Sequence, residues 1–452
     1  MAMIELVKKE AAGFFAGFPE LERAAAGVGP AWLQRMRTTA RLHFMETGFP
    51  TVREEEWKYT NVAPVSEILF RPGDYDPKTR SGLDPDALPF GGVQGHRLVF
   101  VNGQFAENLS SIGRLPAGVR ICSLAELLKK DPDAAQSYLG RYAASTQSAF
   151  GALNMACMNG GAFVYVAAGK IVEEPIHLLF LSTGADSAVA TFPRNLIIGC
   201  SNSQASIVES YVGLRDGVGL TAPVTEVLLG YSSVMEHSRL CHEGNGTFHV
   251  ATVQYQQERG SSLTSHSIAL GGGLVRNNLN AVMDGEGSDA TFNGLYLIRG
   301  GQHVDNHTRL EHAAPHCSSR EVYKGILDGN SRGVFHGRIV VHRGAQKTDS
   351  KQTNNNILLS DEALVNTNPE LEIYADDVKC THGATIGQLD KDAVFYLRSR
   401  GIGERAARAL LIYAFASQIV RRVKVEGLRA ELDRYLLGWL HGDETVREAV
   451  SL

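Results

Sequence analysis

Between about residues 160 and 380, apolar and polar residues alternate with a period of two, in short runs broken by Gly, Asn, Asp and Ser. In the run 334–342, Phe335, Ile339 and Val341 fall on one face of an extended strand, and His336, Arg338 and His342 on the other. A weak internal echo, aromatic-x-Gly ahead of an apolar strand, recurs at Phe292-Asn293-Gly294, Tyr323-Lys324-Gly325 and Phe335-His336-Gly337. Recurrence with strands this short predicts a β-solenoid or a sandwich, and of these a parallel β-helix is favoured. At roughly 20–25 residues per coil, about nine or ten coils stacked ~4.8 Å apart would form a rod of roughly 45 Å.

The flanks have a helical period. Leu33, Met36, Ala40 and Phe44 share one face of a helix predicted over 31–46, with Pro30 at its start and Gly48 just beyond its end. Ser123 and Glu126 form a capping-box pair for a helix over 123–130. Between these, 97–106 reads as a hairpin turning at Asn102-Gly103, and 71–95 reads as a surface loop. Near the C-terminus, Ala407, Leu411, Phe415, Ile419 and Val423 form an i, i+4 stripe widened by Leu410 and Ala414. A last helix over about 425–440 carries Leu428, Leu432, Leu436 and Trp439. The expected organisation is a mostly helical domain over 1–155, a β-helix core over 156–382 and a helical domain over 383–452. Terminal coils expose unpaired backbone and apolar interior, so the two helical domains are expected to cap them.

Composition narrows the functional classes. The chain has 452 residues, 44% hydrophobic and 21% charged, which fits a globular protein with a sizeable core. A net charge of −5 carries no nucleic-acid footprint. The six cysteines are scattered, without CxxC or ferredoxin spacing, and fit a reducing, cytoplasmic setting. At the N-terminus, Glu5, Lys8, Lys9 and Glu10 interrupt the apolar run, so no leader is expected, and no window is apolar enough to span a membrane. There is no phosphate-binding GxxxxGK[ST] loop, Gly271-Gly272-Gly273 reads as a solenoid turn, and no serine nucleophile elbow is expected. The chain is therefore not expected to cradle ATP phosphates itself.

Three groups of side chains could carry chemistry. Cys380 and His382, two apart on a strand, would point to the same face with Cα atoms ~7 Å apart and could reach one iron atom or cluster edge. A buried thiol beside a surface histidine near a turn at Gly383 would look the same in sequence. Two ligands cannot close a tetrahedral site, so a partner chain would have to supply the others. The group His303, His307, His312, His316 and Cys317 could bind metal, but its strand-like surroundings favour a polar ladder on a solenoid face. Glu54, Glu55 and Glu56 read as a solvated helix face with Trp57 packed beneath. A β-helix carbohydrate-active enzyme is the alternative class; Asp376-Asp377 or Asp284 and Glu286 would have to serve it, with only three Trp to stack sugars.

Glu56-Trp57-Lys58-Tyr59-Thr60, together with the runs 302–320, 345–361 and 372–401, resembles the SufB/SufD family of the SUF iron–sulfur assembly system, densely over about the last 160 residues. Lys379-Cys380-Thr381-His382-Gly383 is similar to the SufD branch, where the SufB branch carries a His-Glu-Ala type run. The clustered N-terminal cysteines of many SufB proteins are missing. The resemblance implies a right-handed parallel β-helix flanked by helical domains, mainly β with α caps. It implies a non-catalytic scaffold that pairs with a SufB-type paralogue and binds a SufC-type ABC ATPase through its C-terminal helices, with homodimers expected when it is alone. It further implies a transient iron–sulfur cluster or iron at the partner interface, with Cys380 and His382 as candidate ligands and the histidine the stronger. No tightly bound cofactor is expected in the isolated chain.

Overall fold

A computed structural model describes residues 29–75, 83–184 and 187–440. The charged N-terminal run read above as no leader lies outside the described residues. So do residues 441–452 of the expected C-terminal domain.

The chain folds as a parallel β-helix of about seven turns with helices towards both ends. Successive strands alternate between a 12-stranded and a 10-stranded sheet, so each coil contributes one strand to each. In the best-formed coils the strands are ten residues long, as in Asp289–Ile298 and His303–His312. Asn277 stacks on Asn306, 29 residues on, which makes the coil longer than the 20–25 residues expected from the sequence and the coils fewer. The reason is geometric: two ten-residue strands and two turns do not fit into a shorter repeat.

Alternation sorts each strand into a lumen face and an outer face. Phe335, Ile339 and Val341 are buried in the lumen, as the period-two pattern predicts. The aromatic-x-Gly echo has a steric cause. A Cβ on Gly294 would lie 2.1 Å from the Tyr323 ring of the next coil, and one on Gly325 would lie 2.3 Å from the Tyr296 ring of the coil before. Each tyrosine needs a neighbour without a side chain.

The outer faces are covered by helices. Ala31–Thr47, Leu124–Lys130 and Ala149–Cys157 pack Leu33, Phe44, Leu127 and Phe150 over the early strands of the 12-stranded sheet. Ser123 caps its helix by accepting from the Glu126 amide at 3.2 Å, and the hairpin turns at Asn102 and Gly103, both at positive φ. Glu404–Val420 and Glu426–Trp439 lie on the outer face of the 10-stranded sheet, against Leu179, Val208, Leu240, Leu295 and Ile326.

Three expectations change. The described C-terminal helices cover the side of the solenoid and not its last coil. Of the expected stripe, Ala407, Ile419 and Val423 are buried, while Leu411 and Phe415 are half-buried; Ala409, Ile412, Tyr413 and Ala416 are buried as well, because packing against a sheet broadens and turns the covered face. The segment read as a surface loop buries Phe90 and Val93, and the Glu431 carboxylate accepts from the amides of Phe90 and Gly92.

Candidate functional site

The last coil consists of Leu364–Ile373 and Lys379–Gly387, the outermost strands of the two sheets. No described strand pairs with their outer edges. Register places Cys380 beside Ser350 and His382 beside Gln352, both of which are fully buried. Cys380 and His382 therefore share the lumen face, as their spacing predicts. Because no described coil follows, that face opens to solvent: His382 is exposed and Cys380 half-buried. Ile373 and Ile386, in lumen register with Val341 and Asn356, are 39% and 47% exposed. Among the described residues, nothing covers this end of the lumen.

Beneath this mouth the lumen is polar. Cys380 stacks over Ser350, whose Oγ is 2.7 Å from the Ser319 Oγ, itself 2.9 Å from the His312 Nε2. His382 stacks over Gln352, whose Nε2 donates to the Glu321 carboxylate at 2.7 Å. Burial pushes the Glu321 carboxyl up to about 7 and raises the Cys380 thiol above its ordinary value. The thiol is therefore protonated at neutral pH, and a bound cation would be needed to make it a thiolate ligand.

The histidine-rich run does not form one group. His303 and His307 face outward, His312 faces the lumen, and His316 occupies a turn at φ 59°. Cys317 is buried, with its thiol directed to the Gly285 carbonyl.

The outward pair meets the segment read above as a solvated glutamate run, which sequence spacing could not reveal. Glu56 lies in a single 3-10 turn, Glu55–Trp57, laid on the 12-stranded sheet. Its carboxylate accepts from His307 Nδ1 at 3.1 Å and lies 3.9 Å from His336 Nδ1 and 3.3 Å from an Arg338 nitrogen. That hydrogen bond, helped by the neighbouring positive charges, holds Glu56 down to about 2. Trp57 stacks on Phe150 at 5.6 Å and carries the Arg276 guanidinium 3.9 Å over its ring. Arg276 donates to the Glu56 carbonyl at 2.6 Å and to Asp305 at 2.7 Å, and Thr60 donates to Asp305 at 2.5 Å. The Glu-Trp-Lys-Tyr-Thr signature is thus a plug that fastens the N-terminal region to the solenoid. A cleft of about 960 Å³ opens beside it.

Other chemistry-bearing patterns are absorbed by structure. Glu243 accepts from Thr221 at 2.7 Å and pairs with His249 Nδ1 at 2.8 Å inside the lumen, and Cys241 beside it is pushed well up by burial. Gly329-Asn330-Ser331-Arg332-Gly333 does have nucleophile-elbow spacing, contrary to expectation. It forms a solenoid turn running into a strand, and Ser331 is fully buried. Asp377 pairs with Lys347 and Glu286 faces Arg259, so these carboxylates decorate turns. Among the described residues, no helix is long and apolar enough to cross a membrane.

Two family models match the chain: the SufBD core domain of the SUF iron–sulfur cluster assembly system over residues 180–415, and the SufBD N-terminal region over residues 18–178. An iron–sulfur cluster assembly SufBD family protein of Synechocystis is 34% identical over 394 residues, covering 85% of this chain and 86% of the relative. The iron–sulfur cluster assembly protein SufD of Escherichia coli is 32% identical over 392 residues, 86% of this chain and 88% of the relative. SufD of Bacillus subtilis is 25% identical over 421 residues, 89% and 93% of the two chains.

Proposed function

Since the chain belongs to the SufBD family of iron–sulfur cluster assembly proteins, we propose that it acts as a SufD-type scaffold subunit. In this reading it pairs its last coil with that of a SufB-type paralogue and offers Cys380 and His382 to a nascent cluster as transient cargo. The observation that carries the reading is the open coil. Two unpaired strand edges and an uncovered lumen with a thiol and an imidazole on one face are complementary to another solenoid end. Two ligands leave an iron site incomplete, so the partner must complete it.

The C-terminal helices are the proposed seat of a SufC-type ATPase. Lys391–Ser399 buries no residue and exposes Phe395 and Tyr396, 72% and 56% accessible. ATP-driven closure of two such ATPases would move this chain against its paralogue and open the ligand site. The chain carries no nucleotide loop of its own, which is why the ATP step is assigned to a partner. Without the paralogue, two copies would meet through the same coil.

Anaerobic co-expression with SufB-type and SufC-type partners tests the reading through mass, iron and sulfide. A three-protein complex that loads iron and sulfide, and loses loading in His382→Ala, supports it. A chain that ignores both partners overturns the pairing, and unchanged loading in both His382→Ala and Cys380→Ala overturns the ligand assignment.

A further inference from the structure

A second candidate site lies on the outer face of the 12-stranded sheet, where Glu56, His307 and His336 converge. Their donor atoms all lie within 4.8 Å of one another. His307 and His336 are register partners on adjacent strands, with ring centroids 4.9 Å apart. Both turn Nδ1 towards the Glu56 carboxylate, at 3.1 and 3.9 Å. Nε2 of each lies close to a second carboxylate, His307 3.0 Å from Asp305 and His336 3.1 Å from Glu370, without hydrogen-bond alignment. Once aligned, a carboxylate behind the remote nitrogen is what fixes tautomer and ring orientation in metal-ligating histidines.

We propose that Glu56, His307 and His336 bind a divalent transition-metal cation of the Zn²⁺ or Fe²⁺ type. Two imidazoles and one carboxylate suit borderline cations of this class, and three protein ligands leave an open position. The cleft beside the plug supplies that opening, since all three residues line it. Metal–nitrogen bonds of about 2.0–2.1 Å require the donors to close in by roughly an ångström. The Glu56 side chain is half-exposed, which leaves its carboxylate room to shift while its backbone stays fastened.

Arg338 is the cation that the metal must displace from Glu56. It already holds Glu370 at 2.9 Å and Glu372 at 3.4 Å, so it keeps partners when it withdraws. The ligands come from segments 251 residues apart, so a bound metal would lock the N-terminal plug onto the solenoid. The site uses neither Cys380 nor His382 and does not depend on the scaffold reading.

The test uses the full chain, stripped of metal and titrated anaerobically with Fe²⁺, with Zn²⁺, and with Co²⁺ as a coloured probe. One equivalent should bind, Co²⁺ should give visible ligand-field bands, and the plug should melt at a higher temperature. Glu56→Gln and His336→Gln should each weaken binding at least tenfold, and Glu370→Gln about tenfold through loss of the supporting carboxylate. Cys380→Ala/His382→Ala should leave this equivalent unchanged. Circular dichroism checks that each variant folds. Absence of a stoichiometric equivalent, or an equivalent indifferent to Glu56→Gln and His336→Gln, overturns the proposal. Binding lost with Cys380 and His382 instead would also overturn it.

Discussion

The two ends of the solenoid are finished in opposite ways. At the start, each sheet closes with an antiparallel strand: Gln104–Phe105 on His96–Val101, and Val119–Ser123 on Ala162–Val166. The lumen there is plugged by Phe100, Phe180 and Tyr211, stacked 4.7 and 4.8 Å apart. At the other end, two strands stop with bare edges and two isoleucines in the light. In the proposed scaffold reading, the covered edge serves stability and the open one is offered for pairing.

Mutations at the two ends should therefore separate stability from association. Phe180→Ala, in the closed end, should cost about 3–5 kcal/mol in chemical denaturation of the isolated chain. Glu321→Gln, beneath the open mouth, should alter the pH dependence. A carboxyl raised to about 7 in the fold leaves stability intact below the unfolded value near 4.3 and erodes it as pH rises from there through 7, by about 4 kcal/mol in all. The glutamine variant should flatten the stability profile between pH 5 and 8 and be the more stable protein at pH 8. Gly325→Ala should cost about 1–3 kcal/mol by driving a methyl group into Tyr296. Ile386→Ser, at the open rim, should cost under about 1 kcal/mol in denaturation yet abolish capture by a SufB-type partner. If Ile386→Ser destabilises the isolated chain as much as Phe180→Ala, the rim is already buried in it and the contrast fails.

Features that depend on neighbours in sequence were legible. The Ser123 cap, the Asn102-Gly103 turn, the lumen face of 334–342 and the buried row Leu428, Leu432, Leu436 and Trp439 all follow from local spacing. Cys380 and His382 share a face because strand alternation demands it. Features that depend on distant partners were not legible. The role of Glu56 is set by His307 and His336, hundreds of residues away, so a glutamate run gave no hint of it. The buried face of Glu404–Val420 depended on which surface the helix would meet. Coil length is not legible in the sequence because turns of irregular composition blur the 29-residue repeat. The split of the histidine run could be traced from alternation within one strand, but its outer partners could not.

The contact between Glu431 and the amides of Phe90 and Gly92 has a mechanical consequence. One C-terminal helix is anchored over the later coils, where the Lys324 ammonium donates to Gln418 at 2.6 Å and Arg422 donates to Asn293 at 2.8 Å. The next helix is tied near the first coil through Glu431, about 340 residues back along the chain. The pair works as a strut laid lengthwise on the sheet. A force applied to it would be shared between the first and the later coils rather than borne by one, so the solenoid would tilt as a unit.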